Sequence, residues 1–169
     1  MTRFADLADA GRAVARLVQP ETGAWPDPVL MPVLPNGVPV VLGMVETLAL
    51  PVVPLRAHRS DDGVVIDAPE GLAGRTAIVV DDGVETGTVA RAAAPILREA
   101  GVARLVLAVP VCSREASAHL DLMYDEVIAA VRPLGRRSLA WHFEDFDTVD
   151  DAQAVAMLAR ASLGGSASS

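Results

Sequence analysis

The sequence predicts an α/β fold, a mostly parallel sheet flanked by helices, and three observations carry that reading. Ala77-Ile78-Val79-Val80 and Leu105-Val106-Leu107-Ala108-Val109 are short apolar runs without alternation, the pattern of strands buried on both faces. Between them Val89, Ala92, Ala93, Ile96, Leu97 and Ala100 recur at helical spacing and Gly101 follows, so strand, helix and strand come in βαβ order. A chain of 169 residues, 51% of them apolar, is long enough for one core with five or six strands. A single domain over 1–161 is expected, with the small-residue tail 162–169 disordered.

Taken in order, Phe4, Leu7, Ala8, Gly11, Val14, Ala15 and Val18 fall on one face of an opening helix. Gln19 to Pro28, with three prolines and a glycine, reads as a connector in which Trp25 is packing. Val29 to Val33 is the first strand, and Pro32 argues for an edge or a bulge. Leu34-Pro35-Asn36-Gly37 is a tight turn into a helix that carries Pro39 in its first turn. Pro51 to Leu55 is the next strand, followed at its exit by Arg56, His58 and Arg59. Asp61-Asp62 is a solvated turn before a returning strand at Val64-Val65-Ile66. Beyond the central βαβ unit, Ser113 caps a helix over Arg114 to Leu122, and Asp125 to Ile128 enters a further strand. Thr148 and Asp151 form a capping box for a last helix.

Composition excludes several classes. The net charge is −8, all 14 basic residues are arginine, and no arginine cluster exists beyond Arg136-Arg137, so no nucleic-acid partner is expected. Cys112 is the one cysteine, which rules out an intrachain disulfide and a cysteine-built zinc site. No run approaches the ~18 apolar residues of a membrane span and the N-terminus lacks a signal-peptide core, so a cytoplasmic protein without membrane contact is expected.

The chemistry concentrates where the strand ending at Val80 gives way to the following helix. Asp81-Asp82 repel each other and resist burial, and at a strand's carboxyl end they suit a polyol or a hydrated cation. Gly83-Val84-Glu85-Thr86-Gly87-Thr88 then offers two glycines, two hydroxyls and the free N–H groups of a helix start, which suit a phosphate. Glu85 adds a third carboxylate to this loop, a candidate general acid or base toward a ligand beside it. The turn at Pro35-Asn36-Gly37 repeats the anion-binding logic, and Arg56 at a strand exit is placed to neutralise a polyanion.

Val79 to Thr88 resembles the phosphoribosyl-diphosphate (PRPP) signature of the type I phosphoribosyltransferases. The likeness extends loosely over Pro28 to Phe146, ending on the aromatic segment Trp141 to Phe146. It implies a type I phosphoribosyltransferase-like fold, core about 28–146, with a small hood from the terminal segments. It also implies transfer of a 5-phosphoribosyl group from PRPP to a nitrogenous base, release of diphosphate, and dependence on Mg²⁺. In that family's terms Asp81 and Asp82 hold the ribose hydroxyls and, through water, the metal. Gly83, Val84, Glu85, Thr86, Gly87 and Thr88 wrap the 5-phosphate, while Pro35, Asn36, Gly37 and Arg56 hold the diphosphate. Pro35-Asn36-Gly37-Val38-Pro39 lacks the arginine and one glycine of the subgroup's Pro-Arg-Gly-Gly-Val-Pro form. A PRPP- or nucleotide-binding regulatory module of low or no activity is therefore the alternative. The resemblance further implies a homodimer. A phosphoacceptor receiver domain also opens on two acids after a strand, but it needs a lysine, and this chain has none.

Overall fold

A computed structural model describes residues 3–135 and 138–166. Four parallel strands form the central sheet in the order β1-β4-β5-β6: β1 Pro28–Pro32, β4 Thr76–Val80, β5 Arg104–Val111 and β6 Glu126–Val131. All five residues of β4 are buried, as its unalternating sequence predicts. Alternate residues serve opposite layers: Ala77 and Val79 pack toward α3 (Thr88–Glu99) and α4 (Arg114–Leu120). Ile78 and Val80 pack toward α1 (Leu7–Val18) and α2 (Gly37–Met44). Two helical layers thus cover a sheet whose carboxyl edge stays open to loops.

Segment 51–55 lies along the outer side of β1 as a fifth, irregular strand. Leu30 donates to the Pro51 carbonyl at 2.9 Å, and Val53 and Leu55 donate to the carbonyls of Leu30 and Pro32 at 2.9 Å. Pro32 therefore turns its bonding side outward, where its missing N–H removes nothing from the β4 ladder. The basic stretch after it belongs to a separate antiparallel hairpin, β2 Arg56–Ser60 and β3 Gly63–Asp67, turning at Asp61-Asp62. The connector after α1 is a 3₁₀ turn, Gln19–Ala24, and the buried Trp25 ring meets the Arg104 guanidinium at 5.6 Å.

Helices α1 and α2 cross almost backbone to backbone. A Cβ on Gly11 would lie 2.0 Å from the Val40 carbonyl oxygen, and one on Gly43 2.0 Å from that of Ala8. Only paired glycines permit this approach, which lets α2, and the turn that starts it, sit hard against the sheet.

The hood is built from both terminal regions. Phe4 donates to the His142 carbonyl at 2.9 Å and accepts from Glu144 at 2.8 Å, and Arg3 reaches the carbonyls of Trp141 and Phe143. Phe143 is buried between Phe4 and Phe146, at ring distances of 5.5 and 5.0 Å. The aromatic segment therefore closes the core.

Two expectations at the C-terminal end are corrected. The last helix, α5, runs Asp151–Ser166, so 162–166 continue a helix where disorder was expected, carried on from the alanine-rich stretch 152–161 before it. Its capping box is Asp150 with Gln153, each side chain accepting the other's backbone N–H at 2.8 and 3.0 Å, not Thr148 with Asp151. The rest of the tail, 167–169, and the Arg136-Arg137 pair lie outside the described residues. Among the described residues no helix is long and apolar enough to cross a membrane.

Candidate functional site

The loop after β4 forms the wall of a cavity of about 270 Å³ at the sheet's carboxyl edge. Asp81, Asp82, Gly83, Val84, Glu85, Thr86, Gly87 and Thr88, all named from the sequence, line it. Its first half is zipped to the end of β5: Val84 donates to the Val111 carbonyl at 2.8 Å, and the Ser113 hydroxyl donates to the Glu85 carbonyl at 3.3 Å. Its second half is open. The N–H groups of Thr86, Gly87, Thr88, Val89 and Ala90 donate to no acceptor among the described residues, and they head α3. Gly87, at φ 80°, takes the left-handed turn that aims them, a conformation that suits glycine. The Thr86 and Thr88 hydroxyls lie 3.1 Å apart on the same rim.

The acidic pair is half-buried and enters no ion pair among the described residues. Asp81 Oδ1 accepts the Asp82 N–H at 2.8 Å, which fixes one carboxylate against the loop. Burial pushes Asp81 well above the ordinary 3.8, the neighbouring charge of Asp82 pushes it further, and Arg59 pulls the other way. Burial raises Asp82 too, with Asp81's hydrogen bond opposing and Glu85's charge adding. Two carboxylates strained toward protonation are poised for a cation or for hydroxyl donors. Among the described residues no three acidic, histidine or cysteine side chains converge into a metal cage. Any divalent ion here therefore needs waters and ligand oxygens to complete its shell.

Glu85 stands at a boundary. Its Oε1 accepts the Leu139 N–H at 2.8 Å, and the residue lines both the first cavity and a second of about 280 Å³. That neighbour is framed by Val84, Thr86, Val111, Ser113, Ser138 and Leu139. Glu85 thus turns its carboxylate toward Leu139, on the partition between the two cavities.

Other residues fall differently. Arg59, not Arg56, lines the first cavity; on the β2 ribbon neighbouring cations alternate in direction, which a strand assigned only as far as Leu55 does not reveal. His58 is held by Asp67 at 2.8 Å. Pro35, Asn36 and Gly37 form the turn after β1, beside β4, but their groups face inward: Gly37 donates to Val33 at 2.9 Å, Val38 to Pro35 at 3.2 Å, and Asn36 Oδ1 accepts from Val149 at 2.9 Å. A Cβ on Gly37 would lie 2.5 Å from the Val80 carbonyl oxygen, so the turn is pressed onto the strand that carries the acids. Sequence reasoning missed Arg91, whose guanidinium bonds the Thr86 carbonyl at 2.6 Å. A cation one turn into the helix under a phosphate-type loop is the signal that points to it. Cys112 is fully buried and burial pushes its thiol up, which removes it as a nucleophile.

Comparison with known proteins agrees with this arrangement. A family model described as phosphoribosyl transferase domain matches residues 3–134. A Mycobacterium tuberculosis protein provisionally named a phosphoribosyl transferase is 36% identical over 90 residues, 53% of this chain; the match spans only 20% of that relative's length. Among solved structures, TT1426 from Thermus thermophilus superposes at TM-score 0.80 and 23% identity, over 93% of this chain and 98% of that one. A purine phosphoribosyltransferase from Pyrococcus horikoshii Ot3 follows at 0.58 and 19%, over 83% and 92%. A hypothetical protein from Neisseria gonorrhoeae with bound ppGpp gives 0.58 and 12%, over 95% and 98%. These structures show a shared fold.

Proposed function

Because this chain belongs to the phosphoribosyl transferase domain family, we propose that it binds PRPP with Mg²⁺ and passes the phosphoribosyl group to a nitrogenous base, releasing diphosphate. The observation that carries this is one cavity combining an uncompensated acid pair with the open amides of a helix start. A ribose 5-phosphate presents a diol and a phosphate to match them.

In this reading Asp81 and Asp82 hold the ribose hydroxyls, and Thr86 to Ala90 hold the 5-phosphate, with Arg91 behind the loop. The residues fit Mg²⁺, which Asp81 and Asp82 would hold through its waters; when bound it masks charge on the diphosphate. Glu85, on the partition between the cavities, faces the acceptor base in the second and takes or gives a proton at the attacking ring nitrogen. Arg59 screens the diphosphate from the hairpin side, with Arg56 behind it.

The pH dependence follows from the raised carboxylates. An aspartate whose folded pKa lies above its unfolded value withholds stability at neutral pH, and the fold regains it as pH falls through the folded value. Ligand binding runs the opposite way, since hydroxyls and hydrated cation both need the charged form. Mg²⁺-dependent PRPP affinity is therefore expected to decline on acidification well above pH 3.8, the ordinary value for aspartate. Titration calorimetry across pH checks this; a constant affinity down to pH 3.8 contradicts it.

A second reading, ligand binding without turnover, has its own support. The diphosphate loop keeps its Gly37, Val38 and Asn36 groups on internal partners, and the Neisseria neighbour holds bound ppGpp. Calorimetry of PRPP with and without Mg²⁺, joined to a diphosphate-release assay over a panel of bases, separates the two. Binding with release supports transfer, and binding without release for any base supports a sensor. No PRPP binding at all sinks transfer, and no binding of PRPP or of a guanosine or adenosine nucleotide sinks both.

A further inference from the structure

The open amides at the start of α3 are braced from behind. In a trans peptide group the carbonyl and the N–H point in opposite directions, so a donor that holds the carbonyl also aims the N–H. The Thr86 carbonyl accepts the Arg91 guanidinium at 2.6 Å, and the peptide group it belongs to carries the Gly87 N–H. The Gly87 carbonyl accepts the Arg91 main-chain N–H at 2.8 Å, and its peptide group carries the Thr88 N–H. Gly87 and Thr88 both line the first cavity. Arg91 therefore grips two consecutive peptide groups, one with its side chain and one with its backbone.

The peptide group that supplies the Arg91 N–H is held in turn. Tyr124, 3% exposed and packed with Ala90, Ala93 and Ala94 in the core, donates its hydroxyl to the Ala90 carbonyl at 2.7 Å. Burial first and the charge of Asp81 second push this phenol up, so it stays a donor. A continuous chain thus runs from the Tyr124 hydroxyl through the Ala90 and Gly87 carbonyls to the open Thr88 N–H, and each bond in such a chain polarises the next. The position of Arg91 makes little sense for the helix alone. A cation near a helix start opposes the dipole, α3 has no acidic residue in its first turn, and Arg91 enters no ion pair among the described residues. A bound anion reverses that sign, since both the charge and the amides then favour it.

We propose that Arg91 is the positioning residue of the phosphate loop: by bonding the Thr86 and Gly87 carbonyls from behind it holds the Gly87 and Thr88 N–H groups toward a phosphate monoester, with Tyr124 anchoring the peptide group that carries its main-chain donor. The proposal rests on reading the start of α3 as the 5-phosphate site.

The test is titration of ribose 5-phosphate into isotope-labelled wild type, Arg91→Met and Tyr124→Phe, followed by amide NMR, which reads the affinity and the ligand-free amide protons together. Arg91→Met is expected to bind about tenfold more weakly, the low end for one hydrogen bond to a charged group, and to move the Gly87 amide proton upfield before ligand is added. Tyr124→Phe removes one buried oxygen and no charge. It is expected to weaken binding about twofold, from strengthening on the order of 10–30% per bond in a chain, and to move the Thr88 amide proton upfield. Arg91 is exposed, so Arg91→Met decides alone if Tyr124→Phe fails to fold. Wild-type affinity in the folded Arg91→Met protein, or Gly87 and Thr88 amide protons that stay in place in the ligand-free variants, overturns the bracing and leaves the phosphate reading intact. If the wild type shows no saturable shift at Gly87 and Thr88, the phosphate reading fails and takes the bracing with it.

Discussion

Asp81→Asn/Asp82→Asn is expected to weaken Mg²⁺-dependent PRPP binding by about 3 kcal/mol or more, upwards of a hundredfold, from hydrogen bonds to charged groups worth roughly 1.5–3 kcal/mol each. The change preserves shape. An asparagine in place of Asp81 retains an Oδ1 to accept the N–H of the next residue, the hydrogen bond that fixes this side chain against the loop. The same variant is expected to be more stable than wild type at pH 7, because burial raises both carboxylates, with the charge of Asp82 adding at Asp81 and that of Glu85 adding at Asp82, and charging them at neutral pH works against folding. Loss of ligand together with a higher melting temperature is the pattern of a binding site held at the expense of the fold. Unchanged PRPP affinity in the folded double variant removes the site. Lost affinity with lowered stability shows that the acids serve the architecture instead.

The second large effect concerns no ligand. Gly43→Ala is expected to destabilise the protein by at least about 3 kcal/mol, the upper range for overpacking, because its Cβ would stand 2.0 Å from the Ala8 carbonyl oxygen. In an ordinary helix the same change helps, by about 0.5–1 kcal/mol, so the sign itself is diagnostic. Gly23→Ala is the control, with nothing within 4 Å of its added carbon and an expected change within about 0.5 kcal/mol. Urea midpoints for the three proteins decide it. A Gly43→Ala protein as stable as wild type contradicts the close crossing of α1 and α2.

What the sequence disclosed tracks how locally each feature is encoded. The acid pair, the loop and the start of α3 are contiguous, so periodicity and glycine chemistry single out Asp81 to Thr88, which line one cavity, but not Val89, Ala90 or Arg91 one turn further on. Pro32 signalled an edge, and β1 is an outermost regular strand of the sheet, since a missing N–H has few tolerable positions there. Contacts across long separations were not legible: Leu139 on Glu85 spans 54 residues and Val149 on Asn36 spans 113. Arg59 lines the cavity where the sequence favours Arg56, because the β2–β3 ribbon stands apart from the main sheet and no sequence pattern sets which of its cations faces inward. The shifted capping box is a smaller error of the same kind, as Thr148 and Asp150 both offer oxygens at helix-start spacing and packing against α2 selects between them.

The proline-bounded strip 51–55 also bears on how copies of this chain meet. Residues 51, 53 and 55 spend their bonding groups on β1, which leaves positions 52 and 54 directed outward. Position 54 is proline, so an incoming extended peptide would find the Val52 amide as the sole main-chain donor on that flank. Stacking of one molecule on the next by strand addition is blocked there without a single lysine gatekeeper, the residue this chain never uses.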